Sequence, residues 1–217
     1  MSDSLEQCLE AAAVAGFRIG QIVVQRSRVG FALSHRDDER LDEVQTSRSA
    51  EDAIVLAKYD DAGNYRPLKT APNLRHGWRL ELGTLEELKR ALDYFYPGRL
   101  AVFAAWKKQQ LQTTSLRETL ARQSGMYRVA AKISDTQIDE VVADFCRSDG
   151  GCLRTILWKR DDTGAIASTK LPEQKFDPAC DQAAAEPRSA PAATVPLLCQ
   201  EACNLLIAEC RKVVKGE

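Results

Sequence analysis

Four cysteines in the second half of the chain have the residue type and the spacing to bind metal. The first pair is C-x5-C, Cys146-Arg-Ser-Asp-Gly-Gly-Cys152, and its two glycines let the backbone turn tightly enough for both thiolates to face one point. The second pair is Cys199-Gln-Glu-Ala-Cys203. Placed on a helix, these two share a face and stand about 6 Å apart along the axis at a rise of about 1.5 Å per residue. Pro196 just before them would put Cys199 in the first helical turn, where orphan N–H groups and the positive end of the helix dipole stabilise a thiolate. Four thiolates from two remote segments fit either an iron–sulfur cluster or a structural zinc ion. Zinc usually takes pairs separated by two to four residues, so C-x5-C is wide for it, and spacing alone puts iron–sulfur slightly ahead.

The other cysteines read differently. Cys8 and Cys210 suit core positions, since free cysteine is among the most buried residue types. Cys180 precedes the second pair and is a substitute ligand candidate. The total of seven is odd, which argues against a complete disulfide framework. The first residues, MSDSLEQCLEAAAVAG, lack the basic start and apolar run of a secretory signal, so a cytoplasmic location with reduced thiols is expected.

The elements that must position these residues follow from periodicity and capping. An opening helix is expected over 4–15, then a hairpin of GQIVVQ and RVGFALS turning near Arg26 to Arg28. Residues 35–49 are charged and read as a surface connection, and 51–58 fit helix or strand equally. Thr84-Leu-Glu-Glu87 is a capping box that starts a helix to about Tyr96, and Pro97 opens the next. A helix from Ser115 to about Ser124 stops at Gly125. Ser134 to Gln137 is a second capping box, introducing a helix whose apolar stripe of Ile138, Val141, Val142 and Phe145 ends at Cys146. CLRTILWKR reads as a strand, DDTG as its turn and AIASTKL as a return strand. Residues 173–195 read as a linker, and a final amphipathic helix is expected from about Pro196 to Lys215.

Several function classes are set aside by the composition and motifs. Thirty Lys and Arg against thirty-one Asp and Glu give a net charge of −1, no footprint for duplex nucleic acid or an anionic membrane, and no stretch reaches the length of a membrane span. There is no P-loop or G-x-G-x-x-G pattern. The two histidines, His35 and His76, sit in charged or turn-like contexts and read as surface positions rather than as a catalytic or ligand pair. Arg117, Arg122, Tyr127 and Arg128 offer groups for a tetrapyrrole carboxylate or a partner surface, weighed against the simpler reading of a solvated helix face. Trp78, Trp106 and Trp158 read as core aromatics.

The segments YFYPG (94–98), LRETLARQSGMYRV (116–129), CLRTILW (152–158) and LLCQEACNLL (197–206) together resemble the non-chelatase part of the Deinococcus multidomain CbiX-type chelatase-like family. The resemblance covers nearly the whole chain. It implies a stabilising domain over 1–130 and a cluster-binding domain over 131–217, with Cys146, Cys152, Cys199 and Cys203 matching a [4Fe–4S] motif. It also implies that 217 residues leave no room for a CbiX module, so any chelatase activity would lie with a separately encoded partner. The expected fold is α+β: a mixed N-terminal domain with a helical second half, followed by a small cysteine-ligated domain. The expected function is a [4Fe–4S] protein with an electron-transfer, redox-sensing or structural role, accessory to a CbiX-type tetrapyrrole chelatase or a redox protein. The alternatives are a zinc-stabilised interaction module and a cluster-dependent enzyme with an open iron site. No catalytic residue is assigned.

Overall fold

The computed structural model describes residues 5–38, 44–57, 74–123, 125, 127–146, 154–164 and 193–217. The fold is α+β, and the chain divides into two compact units. The first comprises residues 1–108 and 175–197, the second 109–174 and 198–217. Sequence reasoning expected a single division after residue 130; the units instead part at Lys108 and Gln109, and the first takes back a later segment of the chain.

Unit one begins with helix α1 (Leu5–Ala15), then β1 (Phe17–Ile19), β2 (Ile22–Ser27), β3 (Gly30–His35), β4 (Gln45–Ser47), the short helix α2 (Asp52–Leu56) and β5 (Trp78–Leu82). Helices α3 (Leu85–Phe95) and α4 (Arg99–Lys107) follow. The expected hairpin is present: β2 and β3 pair antiparallel from Ile22 opposite His35 to Ser27 opposite Gly30. The sheet order is β4-β5-β3-β2-β1, extended at its far edge by β7 (Ala193–Val195), which pairs parallel with β1. The stretch read as a linker thus ends in a strand of the first unit. The cause is non-local: short Ala-rich sequence has little strand signal of its own, and the open edge of β1 supplies the partner groups.

The strands bury Phe17, Ile19, Ile22, Val24, Leu33, Leu80 and Leu82. Helix α3 contributes Leu88, Ala91, Leu92 and Phe95 at helical spacing. Its start is the expected capping box, with the Glu87 amide donating to Thr84 Oγ1 at 3.2 Å and the Thr84 amide donating to Glu87 Oε2 at 3.1 Å. Trp78 stacks on Phe95 with ring centroids 5.2 Å apart. Tyr96, just beyond α3, accepts the Gln21 amide on its hydroxyl at 2.9 Å, and Gln21 Oε1 accepts the Leu74 amide at 3.0 Å. The β1–β2 turn needs Gly20: its φ is +57°, and a Cβ would lie 2.4 Å from the Tyr96 hydroxyl.

Unit two contains α5 (Leu116–Arg122), α6 (Tyr127–Ala130), α7 (Asp135–Val141), a π-helical turn over Val142–Cys146, β6 (Thr155–Ile156), β8 (Leu198–Cys199) and α8 (Asn204–Lys215). The second capping box forms as expected, with the Gln137 amide on Ser134 Oγ at 3.2 Å and the Ser134 amide on Gln137 Oε1 at 2.9 Å. Leu116, Leu120, Ile133, Ile138, Val142, Trp158, Leu206 and Ile207 form the core, together with Cys210. The return strand 165–171 and most of the 173–195 segment lie outside the described residues. No helix among the described residues is long and apolar enough to cross a membrane.

Candidate metal centre

Three short pieces of backbone bring cysteines to one place in unit two. Cys146 is the last residue of the π-helical turn that continues α7, a distortion frequent at functional sites. Cys199 lies in β8, whose parallel partner is β6, with Ile156 opposite Cys199. The Leu157 amide donates to the Cys199 carbonyl at 2.9 Å, and the Thr114 amide to the Gln200 carbonyl at 3.1 Å. Cys203 is the N-cap residue of α8, with φ −78° and ψ 159°.

This corrects the expected helix from Pro196. Cys199 and Cys203 do not share a helical face, because the segment before Cys203 is captured by β6 as a strand and the helix begins only at Asn204. The helix N-terminus therefore serves Cys203 rather than Cys199. Cys203 is the N-cap of this twelve-residue helix, and its side chain makes no capping hydrogen bond.

Cys146, Cys199 and Cys203 line a single recess, together with Phe145, Arg154, Ile156, Trp158 and Leu206. Cys146 and Cys199 are buried and Cys203 is half-buried. The walls are apolar except for Arg154, two residues after Cys152 in the sequence. Cys152 and Cys180 themselves lie outside the described residues. The described cysteines form no disulfide with one another.

The sulfur of Cys199 is oriented from two sides. The Trp158 indole N–H donates to it at 3.3 Å, and the thiol donates to the Glu201 carbonyl at 3.1 Å. Trp158 is thus more than the core aromatic that sequence reasoning expected. Its segment is fixed by neighbouring backbone, with the Leu116 amide on the Lys159 carbonyl at 2.8 Å and the Arg117 amide on the Arg160 carbonyl at 3.1 Å. Arg160 pairs with Asp139 and, at 3.6 Å, with Asp135, and these carboxylates hold its guanidinium pKa above the usual value, led by the Asp139 hydrogen bond. Arg117 also pairs with Asp135, and Arg122 lies 3.6 Å from Glu201, so two of the three guanidinium groups considered for an outside ligand have internal partners. Cys210 lies in the core, where burial pushes its thiol up to about 11.

The donor set fits an anionic, thiolate-held cluster. Three sulfurs from separate elements line an apolar recess, an indole N–H donates to one of them, another belongs to the N-cap residue of a helix, and one arginine supplies positive charge. Comparison with known families agrees with this chemistry: residues 108–212 match the 4Fe-4S iron-sulfur cluster binding domain, and residues 5–110 match the DR2241 stabilising domain. Together these two matches span residues 5–212 of the chain. Among solved structures it is similar to DR2241 from Deinococcus radiodurans, described as a multi-domain protein with structural similarity to chelatases and two additional novel domains. The two share 30% identity with a TM-score of 0.72 over 98% of this chain and 41% of the DR2241 chain. This chain therefore spans less than half the length of that relative. No match is found among curated proteins.

The structure also places residues that sequence reasoning read as surface. His35 ends β3 and is fully buried, and Asp38 is buried beside it. His76 is exposed as expected, yet its ring lies against His35 with centroids 4.0 Å apart. Strand pairing joins the two segments, which are remote in sequence, so no local signal could have found the pair.

Proposed function

We propose that this protein holds a [4Fe–4S] cluster through Cys146, Cys152, Cys199 and Cys203 and uses it for electron transfer. The reading is carried by one observation: Cys146, Cys199 and Cys203 line one apolar recess inside the region matched to a cluster-binding domain. Cys152 enters as the fourth ligand by its place in the C-x5-C pair. When bound, such a cluster supplies one-electron redox chemistry. The chain's own residues then do the rest: Phe145, Ile156, Trp158 and Leu206 exclude water, Arg154 offsets negative charge, and Trp158 orients the Cys199 sulfur. Ligation by four cysteines leaves no iron position for substrate, which favours an electron-transfer role over a cluster-dependent enzyme. The similarity to a multi-domain, chelatase-like protein supports a chelatase-type tetrapyrrole enzyme as the partner served. Reduced, ligand-ready thiols fit a cytoplasmic setting.

Anaerobic purification tests the reading. The expected product is brown, with about four iron and four sulfide per chain, and each of Cys146→Ser, Cys152→Ser, Cys199→Ser and Cys203→Ser removes or disturbs the cluster. A colourless, zinc-loaded protein would overturn it in favour of the zinc module. If one of the four substitutions leaves the cluster intact, an iron is open and the enzyme reading replaces electron transfer.

A further inference from the structure

We infer that His35, Asp38 and His76 form a second metal site, in unit one, for a divalent cation of the zinc type. The three side chains offer ligand atoms that all lie within 4.8 Å of one another, the one set of at least three such residues that does so among the described residues. One pair of the three already has the separation of two ligands on a bound ion. His76 Nδ1 and Asp38 Oδ1 are 3.2 Å apart. Two tetrahedral ligands at the usual zinc distances of about 2.0–2.1 Å stand about 3.3 Å apart, so the ion would take the place of the proton shared between them.

The set is held in position from outside. Asp38 accepts the Gly77 amide on both oxygens, at 3.0 and 3.1 Å, and the Trp78 amide at 3.4 Å, which fixes the carboxylate at the mouth of β5. His35 is anchored as the last residue of β3, with the Asp37 amide on Nδ1 at 3.2 Å. His35 and Asp38 are buried, whereas the His76 side chain is 36% exposed and gives the ion a way in. Two imidazoles and one carboxylate are a donor set suited to zinc rather than to calcium or magnesium, and three protein ligands leave one tetrahedral position to water.

The test uses the full chain with its cluster assembled, equilibrated with micromolar Zn2+ and then dialysed, with zinc and iron counted per chain. One zinc beyond the cluster iron is expected. Because the chain has only two histidines, nitrogen-15 spectra of labelled imidazoles report the site directly, and both rings should shift together on adding zinc. His76→Ala removes an exposed ligand with little risk to folding and should weaken zinc binding more than about 100-fold, the upper range for loss of a mere supporting residue. Asp38→Asn, with folding checked by circular dichroism, should do the same. The inference is overturned if wild type takes up no zinc, if His76→Ala retains it, or if the imidazole signals do not move. Zinc lodged in vacated cysteine ligands would show the last two results. The cluster reading stands or falls separately on iron, sulfide and colour.

Discussion

Replacing Trp158 by Phe tests what one hydrogen bond does to the proposed cluster. The indole is buried, 3% exposed, and its N–H reaches Cys199 Sγ at 3.3 Å. Phe keeps an aromatic ring in the same wall of the recess and removes only the donor and part of the volume. A hydrogen bond to a charged acceptor stabilises by about 1.5–3 kcal/mol, but only the difference between oxidation states moves a potential. The reduced cluster places more negative charge on its sulfurs, so the N–H stabilises it more. Taking that difference as about 1 kcal/mol, and about 59 mV per tenfold (about 1.4 kcal/mol) for one electron, the midpoint potential of Trp158→Phe falls by about 40 mV.

Spectroelectrochemical titration, following the bleaching of the visible band under anaerobic conditions, reads this directly. The sign matters as much as the size. Substituting the smaller ring also lets water nearer the cluster, and greater solvent access stabilises the more highly charged reduced form, which raises the potential. A fall therefore shows that the lost donor outweighs the gained water. An unchanged or raised potential, in a variant that keeps its full iron content, refutes the reasoning that the lost donor outweighs the gained water.

Cys210 predicts a pH dependence. Burial raises its pKa from 9.0 to about 11, so the folded chain keeps a proton that the unfolded chain releases, and stability falls as pH rises between these values. Two pKa units correspond to about 3 kcal/mol, and denaturant titrations from pH 8 to 11 should show this loss in wild type but not in Cys210→Ala measured against its own lower baseline. In unit one, Gly30 has φ +141° and a Cβ there would lie 2.5 Å from the Leu82 carbonyl oxygen. Gly30→Ala should therefore cost at least about 1–3 kcal/mol, read as a lowered melting temperature, with iron content per folded chain unchanged. In unit two, Ser134→Ala removes the oxygen that accepts the Gln137 amide at 3.2 Å and should cost about 1 kcal/mol by denaturant titration, while Ser134→Asn should recover most of it.

The parts of the molecule legible in its sequence are those decided within a few residues. Both capping boxes are local reciprocal hydrogen bonds, and Thr84 and Ser134 start helices where their spacing to Glu87 and Gln137 places them. The hairpin of β2 and β3 is likewise a matter of alternation and a short turn. What could not be read depends on partners far along the chain. Pro196-Leu-Leu-Cys199 carries apolar residues that suit a helix or a strand, and β6 decides the matter by pairing Ile156 with Cys199. The 193–195 segment becomes a strand only because β1 presents an edge to it.

The same distinction separates the two candidate sites. Cysteine is chemically conspicuous, so Cys146, Cys199 and Cys203 could be nominated from type and spacing even though the helix assumed to unite the last two does not exist. Their convergence survives the error because a three-residue gap keeps Cys199 and Cys203 close in a strand and cap as well as in a helix. Histidine in a charged stretch is not conspicuous. His35 and His76 gain their meaning from the registry that sets β3 beside β5 and from the Asp38 carboxylate that clamps the Gly77 and Trp78 amides. A site built by sheet pairing leaves almost no trace in either segment alone, and for such sites the fold must come before the chemistry.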